Sequence, residues 1–352
     1  MRLYPVGYVL PWLFATLPLA LHARYGAGPV AAVTFLSVVA LERLLPPART
    51  EVPRGEERAV ADSAWYKIVL RGYVPLQLAL MTLALLGARA MSPAQLIGSA
   101  MALGLATGSI GITFAHELGH HRRSTLDRVL AHVLMACVGY GQFMVEHYRG
   151  HHERVATPDD PATARRGETV YAFWWRTIPG QLRSAWQLEA ARLGTPWAWR
   201  NVLLWHLAWA VIAPLLIFAA LGTPALVLWL VQAITGILLL ETVNYIEHYG
   251  LRRQWQRDGT LEPVGPAHSW NTYAQPTNWI LVHLQRHSDH HMYPGRPYPL
   301  LRTSPDAPEL PTGYTGCILL ALMPPLWFRA MHRRLDALRL RQGARRPAAP
   351  AA

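Results

Sequence analysis

Three stretches of this chain are built alike: His116-Glu-Leu-Gly-His120-His121, His147-Tyr-Arg-Gly-His151-His152 and His287-Ser-Asp-His290-His291. A lone His248 stands in Asn244-Tyr-Ile-Glu-His248-Tyr-Gly. On a helix, residues three and four apart share a face, so each stretch presents its histidines together. Neutral imidazole is the commonest protein metal ligand. One tetrahedral ion takes only four ligands, so nine or ten clustered histidines point to two ions held almost wholly by nitrogen. Any fold open to this chain must bring four segments, spread over 176 positions from His116 to His291, to one place.

That place is expected at the edge of a membrane. The 352 residues are 52% hydrophobic and 15% charged, against about 25% charged in a soluble domain. A spanning helix needs roughly 20 mostly apolar residues. Six stretches qualify: about 5–23 (with Pro11 and Pro18 as kinks), 27–45, 69–88, 94–115, 200–221 and 224–245. The reading is an all-α integral membrane protein of six transmembrane helices under a histidine-rich helical cap. It forms a single domain over 1–335, with a disordered Arg/Ala/Pro-rich tail at 336–352. Residues 46–67 read as a loop. Gly104 and Gly108 have the spacing that lets helix backbones approach closely in lipid. Residues 126–144 are expected as a buried or re-entrant helix. Residues 153–198 form a long polar section whose tryptophans and arginines suit the interface. Residues 312–330, broken at Pro324-Pro325, are expected to dock rather than span.

Six spans put every histidine stretch on one side. Of the 33 Lys and Arg residues only Arg24 and Arg89 fall on the other. Basic residues gather in cytoplasmic loops, so the histidine side reads as cytoplasmic. The net charge of +12 is then a membrane signature, and nucleic acid is not expected as a partner. The two cysteines, Cys137 and Cys317, make neither a disulfide framework nor a thiolate metal site.

His116-Glu117-Leu-Gly-His120 also matches the H-E-x-x-H pattern of zinc proteases, with Glu117 as general base. That reading leaves the other histidine stretches unexplained. In the second box, helical geometry allows His147 and His151 to share one metal while His152 turns toward another; the third box follows the same logic. Ligating histidines usually hand their other N–H to a carboxylate or carbonyl. Glu117, Glu146, Glu247 and Asp289 are the candidates for that supporting role, with Glu153 nearby, and one of these acids bridging the metals is the alternative. Glu241, inside the sixth span, is a functional candidate because an intramembrane acid is costly. His22, His132, His206, His268, His283 and His332 read as structural. A metal pair facing the bilayer can use O₂ against an unactivated C–H bond, which offers no leaving group and no acidic proton.

The boxes, together with Arg154-Val-Ala-Thr-Pro-Asp-Asp-Pro161, His268-Ser-Trp-Asn271 and Leu310-Pro-Thr-Gly-Tyr314, resemble the membrane alkane 1-monooxygenases over roughly 65–335. That family lies within the histidine-box desaturase and hydroxylase superfamily. The resemblance implies a di-iron centre held by His116, His120, His147, His151, His152, His248, His287, His290 and His291; His121 falls where the family usually has lysine. It implies O₂-dependent hydroxylation of a medium- or long-chain alkane to a primary alcohol, in a bacterial inner membrane. It also implies electrons from a separate rubredoxin or ferredoxin and its NAD(P)H-dependent reductase, which agrees with the lack of any CxxC pair. A fatty-acyl desaturase, or an aromatic-methyl or terpene hydroxylase, is the alternative on the same site.

Overall fold

The computed structural model describes residues 4–345. Among them the only β pairing is two isolated bridges, Trp255–Leu261 and Asn271–Glu309. The principal helices are α1 (Leu10–Ala20), α2 (Ala27–Leu44), α3 (Ala64–Gly87), α4 (Pro93–His120), α5 (Thr125–Ala136), α6 (Val170–Leu193), α7 (Val202–Leu221), α8 (Thr223–His248), α9 (His287–Met292), α10 (Tyr314–Ala321) and α11 (Pro324–Arg345). The molecule is an all-α integral membrane protein in which α2, α3, α4, α7 and α8 are long and apolar enough to span.

Among the described residues five of the six expected spans are full-length helices, and the first is a shorter apolar helix because its segment is broken. The helix beginning at Tyr4 stops at Gly7, and α1 starts at Leu10. Pro11 lacks an N–H and its ring crowds the carbonyl four residues back, which belongs to Gly7. The 11 residues of α1 are about 16 Å long, against a hydrocarbon core of about 30 Å. Tyr8, in the break, is buried edge-on to Tyr66 and Tyr298.

The pair α4 and α8 forms the axis of the bundle. A Cβ on Gly108 would lie 2.7 Å from the Gly236 Cα, and one on Gly104 would lie 2.7 Å from the Gln232 carbonyl oxygen. With no side chain at these positions the backbones touch, and dispersion contacts replace the hydrophobic drive that lipid does not supply. Both helices end where the histidines begin: α4 carries His116 and His120, and His248 closes α8. By contrast α7 buries little, leaving Trp209, Ile212, Leu215 and Phe218 exposed to lipid. At the far turn of this hairpin Arg89 Nε donates to the Leu221 carbonyl at 2.9 Å.

The cap departs from the sequence reading in two places. The polar section contains the 24-residue helix α6. Its buried stripe includes Thr177, Gln181, Ser184 and Glu189, so apolar periodicity did not reveal it. The stretch read as a disordered tail is helical as far as Arg345, and residues 346–352 lie outside the described set. There α11 starts at Pro324, as proline favours, and buries Trp327, Met331 and Leu335 along one face. Asp336, inside the supposed tail, pairs with Arg166 at 2.6 Å. The re-entrant segment agrees with expectation: α5 is 12 residues long, too short to cross, and the chain turns back at Gly139, whose φ is +63°.

The α4–α8 contact gives a direct test. Gly108→Leu is expected to cost about 3 kcal/mol, the upper end for overpacking, because the obstacle is backbone. The thermal midpoint in detergent should fall, whereas Gly55→Leu, which meets nothing within 4 Å, should leave it unchanged.

Candidate metal centre

The structure brings the nine sequence-predicted histidines into two adjoining groups. His116, His120, His147, His152 and His290 form the first; His151, His248, His287 and His291 form the second. Within each group the ring nitrogens lie within 4.8 Å of one another. His116 Nε2 is 3.0 Å from His290 Nε2 and 3.2 Å from His120 Nε2, and His147 Nε2 is 3.0 Å from His152 Nε2. In the second group His287 Nε2 is 3.1 Å from His248 Nε2 and 3.0 Å from His291 Nε2. The groups touch: the His152 and His291 ring centroids are 4.5 Å apart.

The partition within the second box differs from the simple helical expectation. His147–His151 is a π-helical turn, whose hydrogen bonds run from i to i+5. That winding aligns His147 with His152, five residues on, and sends His151 to the second group. In α9 the spacing is ordinary: His287 and His291, four apart, stay together, and His290 crosses to the first group.

Supporting contacts set the orientation of these rings. Asp160 Oδ2 lies 2.9 Å from His151 Nδ1, leaving Nε2 pointed inward and without a partner. The same carboxylate accepts from Thr163 Oγ1 at 2.6 Å and from the Ala162 N–H at 3.0 Å. His248 Nδ1 faces the His268 carbonyl at 3.3 Å. In the sequence Asp160 stands within the run Arg154–Pro161, and its place nine residues after His151 is the signal that marks it.

Of the four named acids, Glu247 touches a site histidine, its Oε2 3.3 Å from His287 Nε2. Glu117 accepts from the Tyr298 N–H and lies beside His121. Glu146 pairs with Arg154 and accepts from Ser184, and Asp289 pairs with Arg296. Glu153 is exposed. Glu241 accepts from Tyr140, Thr177, Gln181 and Asn244, which makes it a joint between α6 and α8. The six other histidines bind elsewhere: His22 with Ser99, His132 with His206, His268 with Glu262, His283 with Tyr8 and His332 with Tyr249.

This donor set fits metal. A metal–imidazole bond is about 2.0–2.1 Å, which places neighbouring nitrogens roughly 2.9 to 3.4 Å apart for right-angle to tetrahedral geometry. The contacts above fall in that range. Burial holds His147, His152, His287, His290 and His291 well below the ordinary histidine range, and so in the neutral form that ligates. His151 is the exception: burial disfavours its charge, but Asp160, together with Glu146 and Glu247, more than offsets burial and raises it.

An apolar cavity ends on the histidines. His116 and His147 of the first group and His287 of the second line it, with Asn244, Glu247 and Tyr314. Its walls come from α4, α8 and α10, and Phe14 of α1 and Phe35 of α2 line it further out. Along α4 it follows the helix from His116 to Leu105, about 16 Å at 1.5 Å per residue. The space between its atoms, open mouth included, is about 810 Å³.

Asp160→Asn keeps the shape of the carboxylate and removes its charge. Metal affinity should fall about 10- to 100-fold, the usual cost of losing such a partner, read by competition titration of the purified chain. Asp289→Asn, whose carboxylate serves Arg296, should leave affinity unchanged.

Residues 92–305 match the family model described as fatty acid desaturase, a span that contains all nine histidines. The chain is 37% identical to the alkane 1-monooxygenase of Acinetobacter baylyi over 339 residues, covering 94% of this chain and 81% of that one. It is 40% identical to the alkane 1-monooxygenase of Ectopseudomonas oleovorans, covering 89% and 76%. To alkane 1-monooxygenase 2 of Pseudomonas aeruginosa it is 36% identical, covering 96% and 93%. With likeness running nearly end to end over helices, boxes and cap, the chain belongs to the fatty acid desaturase family, in its alkane 1-monooxygenase branch.

Proposed function

We propose that this protein hydroxylates the terminal carbon of a medium- or long-chain alkane to a primary alcohol, using O₂ at two non-haem irons held by the nine histidines. The observation that carries the reading is the apolar cavity whose inner end is lined by histidines of both groups. The chemistry supplied at such a centre is reduction of O₂, one oxygen atom entering the C–H bond and the other leaving as water with two electrons and two protons.

The chain's own residues do the rest. Leu105, Ile112, Leu239, Val243 and Ile318 along the cavity offer an alkyl chain only apolar contact, worth about 25 cal/mol per Å² removed from water. Such a wall reads shape and holds the substrate lengthwise. The terminal carbon is thereby presented to His116, His147 and His287, where the side chains are polar. The same wall keeps bulk water from the reacting end. Iron is preferred to zinc because the substrate class calls for oxidation, not hydrolysis.

The electrons come from a separate rubredoxin or ferredoxin and its NAD(P)H-dependent reductase, as the alkane branch suggests. The membrane is a bacterial inner membrane with the histidine end cytoplasmic. The near-exclusive placement of basic residues on the histidine side supports that orientation.

Membranes containing the protein, a rubredoxin–reductase pair and NADH should convert an alkane under ¹⁸O₂ to labelled primary alcohol. Unlabelled alkene would make the protein a desaturase, and labelled product from alkylbenzenes alone would move it to aromatic-methyl substrates. His287→Ala should lose iron and product together; a fully active variant would refute the assignment.

A further inference from the structure

The two histidine groups are unequal. The first has five members and the second four. Two carboxylates touch the second: Asp160, 2.9 Å from the outward Nδ1 of His151, and Glu247, whose Oε2 is 3.3 Å from His287 Nε2, the nitrogen that faces the neighbouring rings. That distance belongs with the 3.0 and 3.1 Å contacts His287 makes to His291 and His248. It also lies in the range that neighbouring ligands of one ion adopt, about 2.9 to 3.4 Å. Glu247 directly precedes His248, so α8 delivers both to the second group.

The surroundings of Glu247 differ from those of Glu241, Glu42, Glu146, Glu189 and Asp289, and Asp160, which also meets a site histidine, is further matched by Thr163 Oγ1 and the Ala162 N–H. A buried carboxylate is costly unless donors or a cation compensate it. Glu241 has four side-chain donors. Glu42 accepts from Thr277, Thr315 and two backbone N–H groups. Glu146, Glu189 and Asp289 each face an arginine. Glu247, with its side chain 3% exposed, has the Tyr314 hydroxyl, which donates to Oε1 at 2.7 Å, and the His287 ring. Tyr314 occupies one oxygen and turns the other toward the histidines. Both side chains also line the inner end of the apolar cavity.

We propose that Glu247 is a metal ligand, the oxygen donor that completes the second group, and that Tyr314 is the positioning residue that aims it. The centre is then five nitrogens on one side, and four nitrogens and one oxygen on the other. The oxygen lies on the substrate side. This inference rests on the two-metal reading given above and adds an asymmetry to it. An anionic oxygen donor makes the second metal harder and less positive than the first, so the two positions differ in affinity and ligand field.

Cobalt(II) tests this without turnover. The purified full-length protein, stripped of metal, should bind two cobalt ions per chain with two resolvable affinities and visible bands. Glu247→Gln, nearly isosteric and still able to accept from Tyr314, should keep the first site and weaken the second at least 10-fold, with a shift of its band. Glu247→Ala should do so further, Glu247→Asp should recover part of the loss, and Tyr314→Phe should weaken the second site less than Glu247→Gln does. Two cobalt ions bound by Glu247→Gln with wild-type affinities and spectrum would overturn the proposal and leave the two-metal reading standing. A wild-type protein that takes up fewer than two would sink that reading and this proposal with it.

Discussion

Everything in this structure depends on keeping nine imidazoles close together and uncharged. Two protonated imidazoles at 3 Å repel, and burial makes that repulsion worse because the interior screens poorly. The rings are therefore viable as neutral donors, and neutral donors facing one another need something to donate to. Metal supplies it, and the fold supplies the place. No single helix could do so. The close crossing of α4 and α8 at Gly104, Gly108 and Gly236 sets two helix ends side by side, and the cap folds the second box and α9 over them.

The cap is held by buried polar joints as well as by apolar packing such as Val145 against Ala185 and Leu203. Glu42 ties α2 to α10, Glu241 ties α6 to α8, and Glu146 ties the second box to Arg154 and Ser184. Each carboxylate is matched by donors, which is the condition for burying it without large loss. Geometry is the gain. A hydrophobic contact tolerates sliding, but a carboxylate met by three or four donors fixes distance and direction. A centre in which ring nitrogens must meet within a few tenths of an ångström uses that rigidity directly. The joint at Glu241 lies nearly two helical turns before Glu247 and His248, so it also fixes their register.

Much of this was legible in the sequence, for physical reasons that also explain what was not. Histidine spacing marks a metal site because few other uses need so many imidazoles so close. Apolar runs mark spans because lipid demands them. The signals that failed were those that polar or irregular backbone carries. The π turn at His147–His151 changed which rings pair, since a box of spacing i, i+4, i+5 reads differently on a wider turn. Pro11 split the first span, a break that proline announces but whose extent depends on how Tyr8 packs. Helix α6 was hidden because its buried face is polar, and the end of α11 because Ala, Arg and Pro together look unstructured. Yet alanine and arginine are good helix formers, and once Trp327 and Met331 are docked the helix has no reason to stop. Asp160 could have been suspected only from its nearness in sequence to His151.

The division between ligands and walls has a consequence for how such a protein acquires its substrate range. The histidines and their supports come from α4, the second box, α8, α9 and the loop at Asp160. The outer cavity wall adds residues that hold no metal and brace no ligand, Phe14 from α1, Phe35 and Val38 from α2 and Ile318 from α10. A change of side-chain size there alters the space open to an alkyl chain without moving a ring nitrogen. Substitutions nearer the histidines do not have that freedom, because Asn244 and Tyr314 line the cavity and also hold Glu241 and Glu247. Reach along the cavity and chemistry at its end are thus separable along the outer wall and joined at the inner end. The point of separation is the ring of polar side chains where hydrocarbon stops and imidazole begins.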